Sequence, residues 1–372
     1  MPDQLAAVLG RASKLPTDAG PQWELLLGQA RRATLASRLA RHCQDSGGLD
    51  RVPERPRLHL MAAALAADRL AHGMRLEVDR IADALAAAGL RCVLMKGAAY
   101  LCADLPPARG RLFGDIDILV ARDELDKAEG ALLAAGWIAG QLDGYNERYY
   151  RQWMHEIPPL VHVRRGSIID LHHAITPPTS AFHISGEQLL SAARPLDDSG
   201  RCWVLQPVDM VLHSAVHLFA EGEFDHGLRD LLDMKDLLRH FETHESDFWT
   251  ALFTRSRALG LQGPLHHALH HVERLFGDCV PTAHRQAILA LRPRYPKRLM
   301  MAWLLKLALR PVHPSCDTQF TGLARWLLYL RSHWLRMPMH LLVPHLARKA
   351  WMSRFPNKAS MLETKTMPGG VP

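Results

Sequence analysis

The segment Asp115-Ile116-Asp117-Ile118-Leu119-Val120 limits the possible folds more than any other stretch of the chain. Its alternation reads as a strand that lays Ile116, Ile118 and Val120 on a core and leaves two aspartates at the core's lip. Such a strand needs neighbours. The wholly apolar run Cys92-Val93-Leu94-Met95 ends sharply at Lys96-Gly97, as a buried strand does before a turn. Further on, residues 160–163 and 168–171, joined by Arg164-Arg165-Gly166, read as a hairpin.

Helical patterns surround these strands. Ala and Leu recur at three- and four-residue spacing over residues 23–42 and 59–89, with Gly47-Gly48 and Pro53/Pro56 marking a loop between them. Residues 98–103 predict a short helix and Pro106-Pro107 to Gly110 a loop, and residues 124–135 predict a helix with Asp123 as its N-cap and Gly136 as its stop. From Pro207 strand signals vanish: residues 208–221, 227–242, 248–260 and 265–276 read as successive helices. The expected organisation is an N-terminal helical segment (1–60), an α+β core with a short mixed sheet (61–200), a helical domain (201–290), a basic amphipathic helical region (291–358) and a flexible tail (359–372).

Charge divides the chain in the same way. The net charge is +7 over 372 residues, yet residues 292–358 hold thirteen Lys/Arg and one acidic residue, which leaves 32 basic against 37 acidic elsewhere. A general polyanion binder is therefore not indicated. Six scattered cysteines, without CxxC spacing, suit reduced thiols, and neither a signal peptide nor an apolar run of about 20 residues is evident. A cytoplasmic location is expected, with peripheral attachment to the inner face of the membrane as a further option.

The chemistry concentrates between Lys96 and His172. Aspartates at i and i+2 of a strand point to one face, about 7 Å apart along the chain. Paired hard oxygens suit Mg²⁺, whose octahedron phosphate oxygens would complete. Lys96, Arg109 and Arg111 supply cations, and Gly114 lets a phosphate chain approach the backbone. Asp170 stands on the expected hairpin with His172 two positions on. An isolated Asp-x-Asp is also compatible with a solvated strand.

In this order, Lys96-Gly97, Arg111 through Asp115-x-Asp117 and Asp170-x-His172 resemble the polymerase-β-like nucleotidyltransferase superfamily, and within it the bacterial branch described as uncharacterised nucleotidyltransferase. The resemblance extends through His155, Pro158-Pro159-Leu160, His213, His217, and Arg229 to Asp233, covering roughly residues 60–245. It implies a polymerase-β-like core followed by a helical domain. It also implies transfer of a nucleoside monophosphate from an NTP to a hydroxyl, with release of pyrophosphate. Asp115, Asp117 and Asp170 would be the catalytic and metal-binding residues, for two Mg²⁺ ions or for Mn²⁺. Lys96, Gly97, Arg109, Arg111 and Gly114 would bind the triphosphate. Ala98 stands where much of the superfamily has Ser or Gly, so the grip is expected either to come from Arg109 and Arg111 or to be weak. His155, His172, His213 and His217 are candidates for the cleft, and packed histidines are the alternative for the last two.

Other constellations are weaker. His266, His267, His270 and His271 have zinc-like spacing but lack a completing ligand other than Glu273, so a solvated or partly packed helix face is expected. Arg229 and Asp233 suit a helical i, i+4 ion pair. The basic region, with Trp303, Trp326, Trp334 and Trp351, is compatible with a basic bundle, a nucleic-acid surface or an interfacial helix on anionic lipid. Its amphipathic, nearly acid-free character favours lipid over nucleic acid. Besides an NTP and an unidentified hydroxyl acceptor, two other readings of the whole chain stand: a non-catalytic, antitoxin-like partner-binding protein on the same fold, or a membrane accessory of a polysaccharide or lipid-linked pathway.

Overall fold

The computed structural model describes residues 3–10, 14–17, 20–140, 153–222, 224–277, 279–292 and 297–337. The expected tail and the last part of the basic region lie outside them. The order of elements starts with helices α1 (Gln4–Leu9), α2 (Pro21–Arg32), α3 (Ala36–Asp45) and α4 (Glu54–Ala87). The mixed part follows as β1 (Cys92–Leu94), α5 (Lys96–Cys102), β2 (Asp115–Leu119), α6 (Leu125–Ala134), β3 (Trp137–Ala139), β4 (Leu160–His162), β5 (Ile168–His172), α7 (Gly186–Leu190), β6 (Arg194–Pro195) and β7 (Cys202–Val204). Then come α8 (Pro207–Glu221), α9 (Gly227–His244), α10 (Phe248–Ala258), α11 (Gln262–Phe276), α12 (Arg285–Ala290), α13 (Lys297–Ala308) and α14 (Thr321–Arg336).

The fold is α+β, and its sheet is mixed in the order β3-β4-β5-β2-β1-β7-β6. β2 lies in the middle, antiparallel to β1 and parallel to β5. Its Ile116 and Ile118 sit in the core as the alternation requires. Transfer of each such side chain out of water contributes roughly 1.5–3 kcal/mol, which holds the strand in one register. One hydrophobic cluster runs from Leu5 through the sheet to Leu328, so the helices before and after the sheet share its core.

Local chemistry corrects several expectations. The helical pattern of residues 23–42 is broken into α2 and α3 at Thr34, whose φ is 55°, with the Leu35 amide donating back to the Ala30 carbonyl. That is a C-terminal closure without the usual glycine. Pro56, expected in the loop, lies in the first turn of α4, where its missing N–H leaves no helical bond unmade. Asp123 is not a cap; a 3₁₀ turn over Arg122–Glu124 precedes α6, and Glu124 occupies the N-cap position. Strands β3, β6 and β7 carried no readable pattern, because runs of two or three residues are too short to show a period.

Helix α8 is buried along most of its length, packed against α9, α10, α11 and α14. Arg331 and Arg336 of α14 donate to its last carbonyls, Phe219 O at 2.7 Å and Glu221 O at 2.8 Å. Gly222 then turns the chain at φ 80°, and a Cβ there would lie 2.5 Å from the Ser332 Cβ. Glycine is thus required both by the turn and by the approach of α14.

The histidines of α11 are more buried than their spacing suggested. His266, His267 and His271 are in the interior, and the Phe219 ring lies 5.7 Å from that of His267 and 6.2 Å from that of His271. Burial lowers His267 to about 3 and His266 to about 4, against an ordinary 6.5. Below pH 6.5 the unfolded chain takes up protons at these positions while the folded chain does not. Stability is therefore fully present above pH 6.5 and declines as the pH falls towards 4. The slope is about 1.4 kcal/mol per pH unit for each such histidine. Thermal melts at pH 7.5 and pH 5 should show a marked loss of Tm at the lower pH, and a smaller one in His267→Leu; equal losses in the two proteins would contradict this account.

Candidate active site

Because β2 and β5 are parallel and in register, Asp117 lies beside Asp170 and both side chains emerge on one face of the sheet. Asp115 heads β2 at the exposed end of the same face, and His172 follows Asp170. Asp117 is deeply buried. Its Oδ1 accepts from Lys96 Nζ at 3.0 Å and faces His172 Nε2 at 3.0 Å. Burial opposes its charge, but Lys96 and His172 outweigh burial and hold the carboxyl well below its ordinary range.

Lys96 is delivered by backbone geometry. The β1 strand ends at Leu94, the Met95 amide donates to the Asp117 carbonyl at 3.0 Å, and Lys96 adopts a φ of 44° at the start of α5. A non-glycine residue in the left-handed region costs about 1 kcal/mol or more, so the surrounding contacts must hold it. Burial disfavours its ammonium, yet Asp117 and Glu221 together raise its pKa. Gly97 follows, and a Cβ there would meet Arg111 Nε at 3.3 Å and Phe113 Cδ1 at 3.3 Å. Gly114 has open space before it.

Asp170 behaves differently from its neighbour. Its Oδ1 is buried with no hydrogen-bond partner among the described residues, and burial, Asp117 and Glu156 together raise its pKa to about 7. Glu156 is brought in by an antiparallel bridge to His172, with its Oε2 3.3 Å from His172 Nδ1 and 4.0 Å from His155 Nε2. His155, Glu156 and His172 offer ligand atoms that all lie within 4.8 Å of one another. A buried Asp170 oxygen without a partner among the described residues, pushed up by the neighbouring carboxylates, is an environment that a hard divalent cation relieves, so Asp115, Asp117 and Asp170 fit Mg²⁺ or Mn²⁺ by the chemistry of their oxygens.

The face opens into a cleft of about 330 Å³ lined by Lys96, Gly97, Arg111, Gly114, Asp115 and Asp117 from the mixed part. Ser214 and His217 of α8 and Arg229, Asp230 and Asp233 of α9 form the opposite wall. Arg111 forms an ion pair with Asp233, and its guanidinium carbon lies 5.8 Å from the Tyr100 ring centre. Burial and the nearby Arg229 lower Arg111 to about 10. The Arg229–Asp233 pair expected from spacing is replaced: Arg229 pairs with Asp230 at 2.9 Å, and Asp233 turns to Arg111 across the cleft. Arg109 is not on this wall. It pairs with Asp45 at 3.1 Å and lines another cavity.

His213 is buried, lowered to about 3 by burial and by Lys96, and is neutral. Of the four histidines expected at the cleft, His217 lines it, while His155, His172 and His213 are not among its lining residues; His217 is lowered by burial and Lys96, with Nε2 3.1 Å from Glu221 Oε2. Glu221, raised to about 7 by burial against the pull of Lys96 and Arg336, escaped the reading of the sequence. The signal was present, since His213, His217 and Glu221 recur at i, i+4 and i+8 on one helix. His155-Glu156, by contrast, lies in a stretch without clear periodicity.

With this geometry in view, the sequence profile that matches is that of the uncharacterised nucleotidyltransferase family, over residues 19–277. The chain belongs to the uncharacterised nucleotidyltransferase family, and membership supports a general nucleotidyltransferase role. No curated protein and no solved structure matches the chain.

The Arg111–Asp233 pair is nearly inaccessible, with side chains 11% and 5% exposed. Arg111→Met leaves a buried carboxylate alone and should destabilise the protein by about 3–5 kcal/mol. Arg111→Met/Asp233→Leu should recover a large part of that loss in denaturant unfolding. A double variant no more stable than the single one would show that the pair is not a coupled unit.

Proposed function

We propose that the protein is a Mg²⁺-dependent nucleotidyltransferase that moves a nucleoside monophosphate from an NTP to an acceptor hydroxyl. The acceptor oxygen forms a bond to the α-phosphorus, the bond from that phosphorus to the leaving oxygen breaks, and pyrophosphate departs with its electron pair. The observation that carries this reading is that Asp115 and Asp117 line a cleft with Lys96, Gly97, Arg111 and Gly114, while Asp170 stands in register beside Asp117 on the next strand.

Asp115, Asp117 and Asp170 would hold the divalent ions. When bound, these neutralise triphosphate charge and ease loss of the acceptor's proton. The remaining work belongs to the chain. Lys96 keeps Asp117 ionised and adds positive charge at the cleft floor. Arg111, steadied by Asp233, faces the cleft as a triphosphate contact, and Gly97 leaves it room. His172 bridges Asp117 and Glu156 and so orients the carboxylates. Nothing in this arrangement requires a covalent nucleophile; positioning and charge neutralisation suffice.

The test is turnover of each α-labelled NTP with a cell extract and Mg²⁺. Asp115→Asn, the cleaner substitution because Asp115 is exposed, and Asp170→Asn should each reduce labelling at least ~100-fold with an unchanged circular dichroism spectrum. Undiminished labelling in both would overturn the assignment. Titration calorimetry with ATP, CTP, GTP and UTP plus Mg²⁺ separates the non-catalytic alternative: binding of none of the four favours a partner-binding protein.

A second reading concerns where the protein works. No helix among the described residues is long and apolar enough to cross a membrane. On α14, however, Leu323, Trp326, Leu327, Leu330 and Trp334 form an exposed stripe at helical spacing, and Trp334 is 69% exposed. Trp303 of α13 and Phe320 extend it, with ring centres 5.9 Å apart. Lys297, Arg298 and Lys306 lie on the adjoining helix. A wide apolar face with neighbouring cations matches an anionic lipid surface. The full-length protein should float with phosphatidylserine-containing liposomes, and Trp326→Ser/Trp334→Ser should float several-fold less; no difference between the two would remove this reading.

A further inference from the structure

Helix α9 and the turn around Pro106 line a second cavity on another of their faces. Where Arg229, Asp230 and Asp233 look into the nucleotide cleft, Leu232, Lys235, Asp236 and Arg239 look into a cavity of about 1020 Å³ whose other walls come from residues 14–17, α3 and the Gly48–Val52 turn. Its charge is one-sided. Seven Lys/Arg side chains line it against two carboxylates, Asp45 and Asp236. Those seven come from the part of the chain whose overall balance is negative, outside the basic region at 292–358.

Some of these cations have structural duties. Arg38 donates to the carbonyls of Pro106, Pro107 and Arg109 at 2.9, 3.2 and 3.0 Å and pairs with Asp236. Arg41 pairs with Asp68, and Arg109 with Asp45. Lys14, Arg51 and Arg239 have no carboxylate partner among the described residues, and all three are exposed on the cavity's walls. Like charges gathered around a concave surface repel one another and focus a positive field into the space between them. Packing alone gives no reason to gather them. An occupant carrying several negative charges relieves the repulsion.

We propose that this cavity is a binding site for a multiply phosphorylated small molecule, separate from the nucleotide cleft. Its volume is that of a pocket for a nucleotide-sized or larger ligand, well beyond a single phosphate ion. Arginine-rich walls favour phosphate over carboxylate-poor neutral ligands, because each guanidinium offers paired donors to phosphate oxygens. The site also bears on the cleft mechanically: Arg38 holds the turn whose continuation delivers Arg111. The assignment does not depend on nucleotidyl transfer.

The probe is inorganic tripolyphosphate, titrated calorimetrically into the full chain at about 0.15 M salt, where the Debye length is about 8 Å and diffuse attraction is screened. EDTA keeps divalent ions away, so the carboxylates of the nucleotide cleft repel the probe there. Wild-type protein should bind it saturably. Arg51→Gln/Arg239→Gln should weaken binding at least about tenfold, since two charge-assisted contacts are lost. Lys297→Gln/Lys306→Gln removes the same charge outside the cavity and should leave binding unchanged. Absence of binding by the wild type, or equal weakening in the two double variants, would overturn the proposal. Mg²⁺-NTP binding measured in Arg51→Gln/Arg239→Gln should equal that of the wild type, which keeps this result distinct from failure of the nucleotidyltransferase reading.

Discussion

Everything at the cleft depends on one pairing: β2 and β5 run side by side in the same direction with Asp117 against Asp170. A shift of one residue would send Asp170 into the core and Ile169 to the cleft, so the hydrophobic effect that buries Ile116, Ile118, Ile169 and Leu171 also sets the spacing of the carboxylates. The two acids then diverge electrostatically. Asp117 receives Lys96 and His172 and stays charged, whereas at Asp170 burial and the neighbouring carboxylates outweigh the pull of His172, and its pKa rises. Identical side chains on adjacent strands thus acquire different properties from their second neighbours.

The strands of the site were legible because they alternate or run apolar over four or more residues. Asp115, Asp117 and Lys96-Gly97 were readable together, since one short strand and one turn carry them. Asp170 could be placed on a strand, but its adjacency to Asp117 could not be read, because parallel pairing across some fifty residues leaves no local trace. Arg109 and Arg111 looked equivalent, two residues apart. The turn sends Arg111 to Asp233 and Arg109 to Asp45, a separation that only the backbone course between them decides.

The helical part was legible in outline and illegible in its polar contacts. The periods of α8 to α11 are strong, and their boundaries agree with the pattern to within a few residues. What the pattern could not supply was which polar residues face inward. His267 and His271 are on the interior face, and Asp233 prefers a cross-cleft arginine to its own helical neighbour. In both cases tertiary burial overrides the local preference, because an unpaired buried charge costs more than a surface ion pair contributes.

The grip of Arg38 on the Pro106 turn and on Asp236 has a consequence for the order of assembly. Its partners lie about 70 and 198 residues later in the chain. The N-terminal helices emerge first from synthesis, yet they cannot complete their packing until α9 exists to meet them. Arg38 therefore waits for its carboxylate until more than half of the chain has been made. A contact map of this kind, rich in distant partners, belongs to a protein that closes late and as a whole.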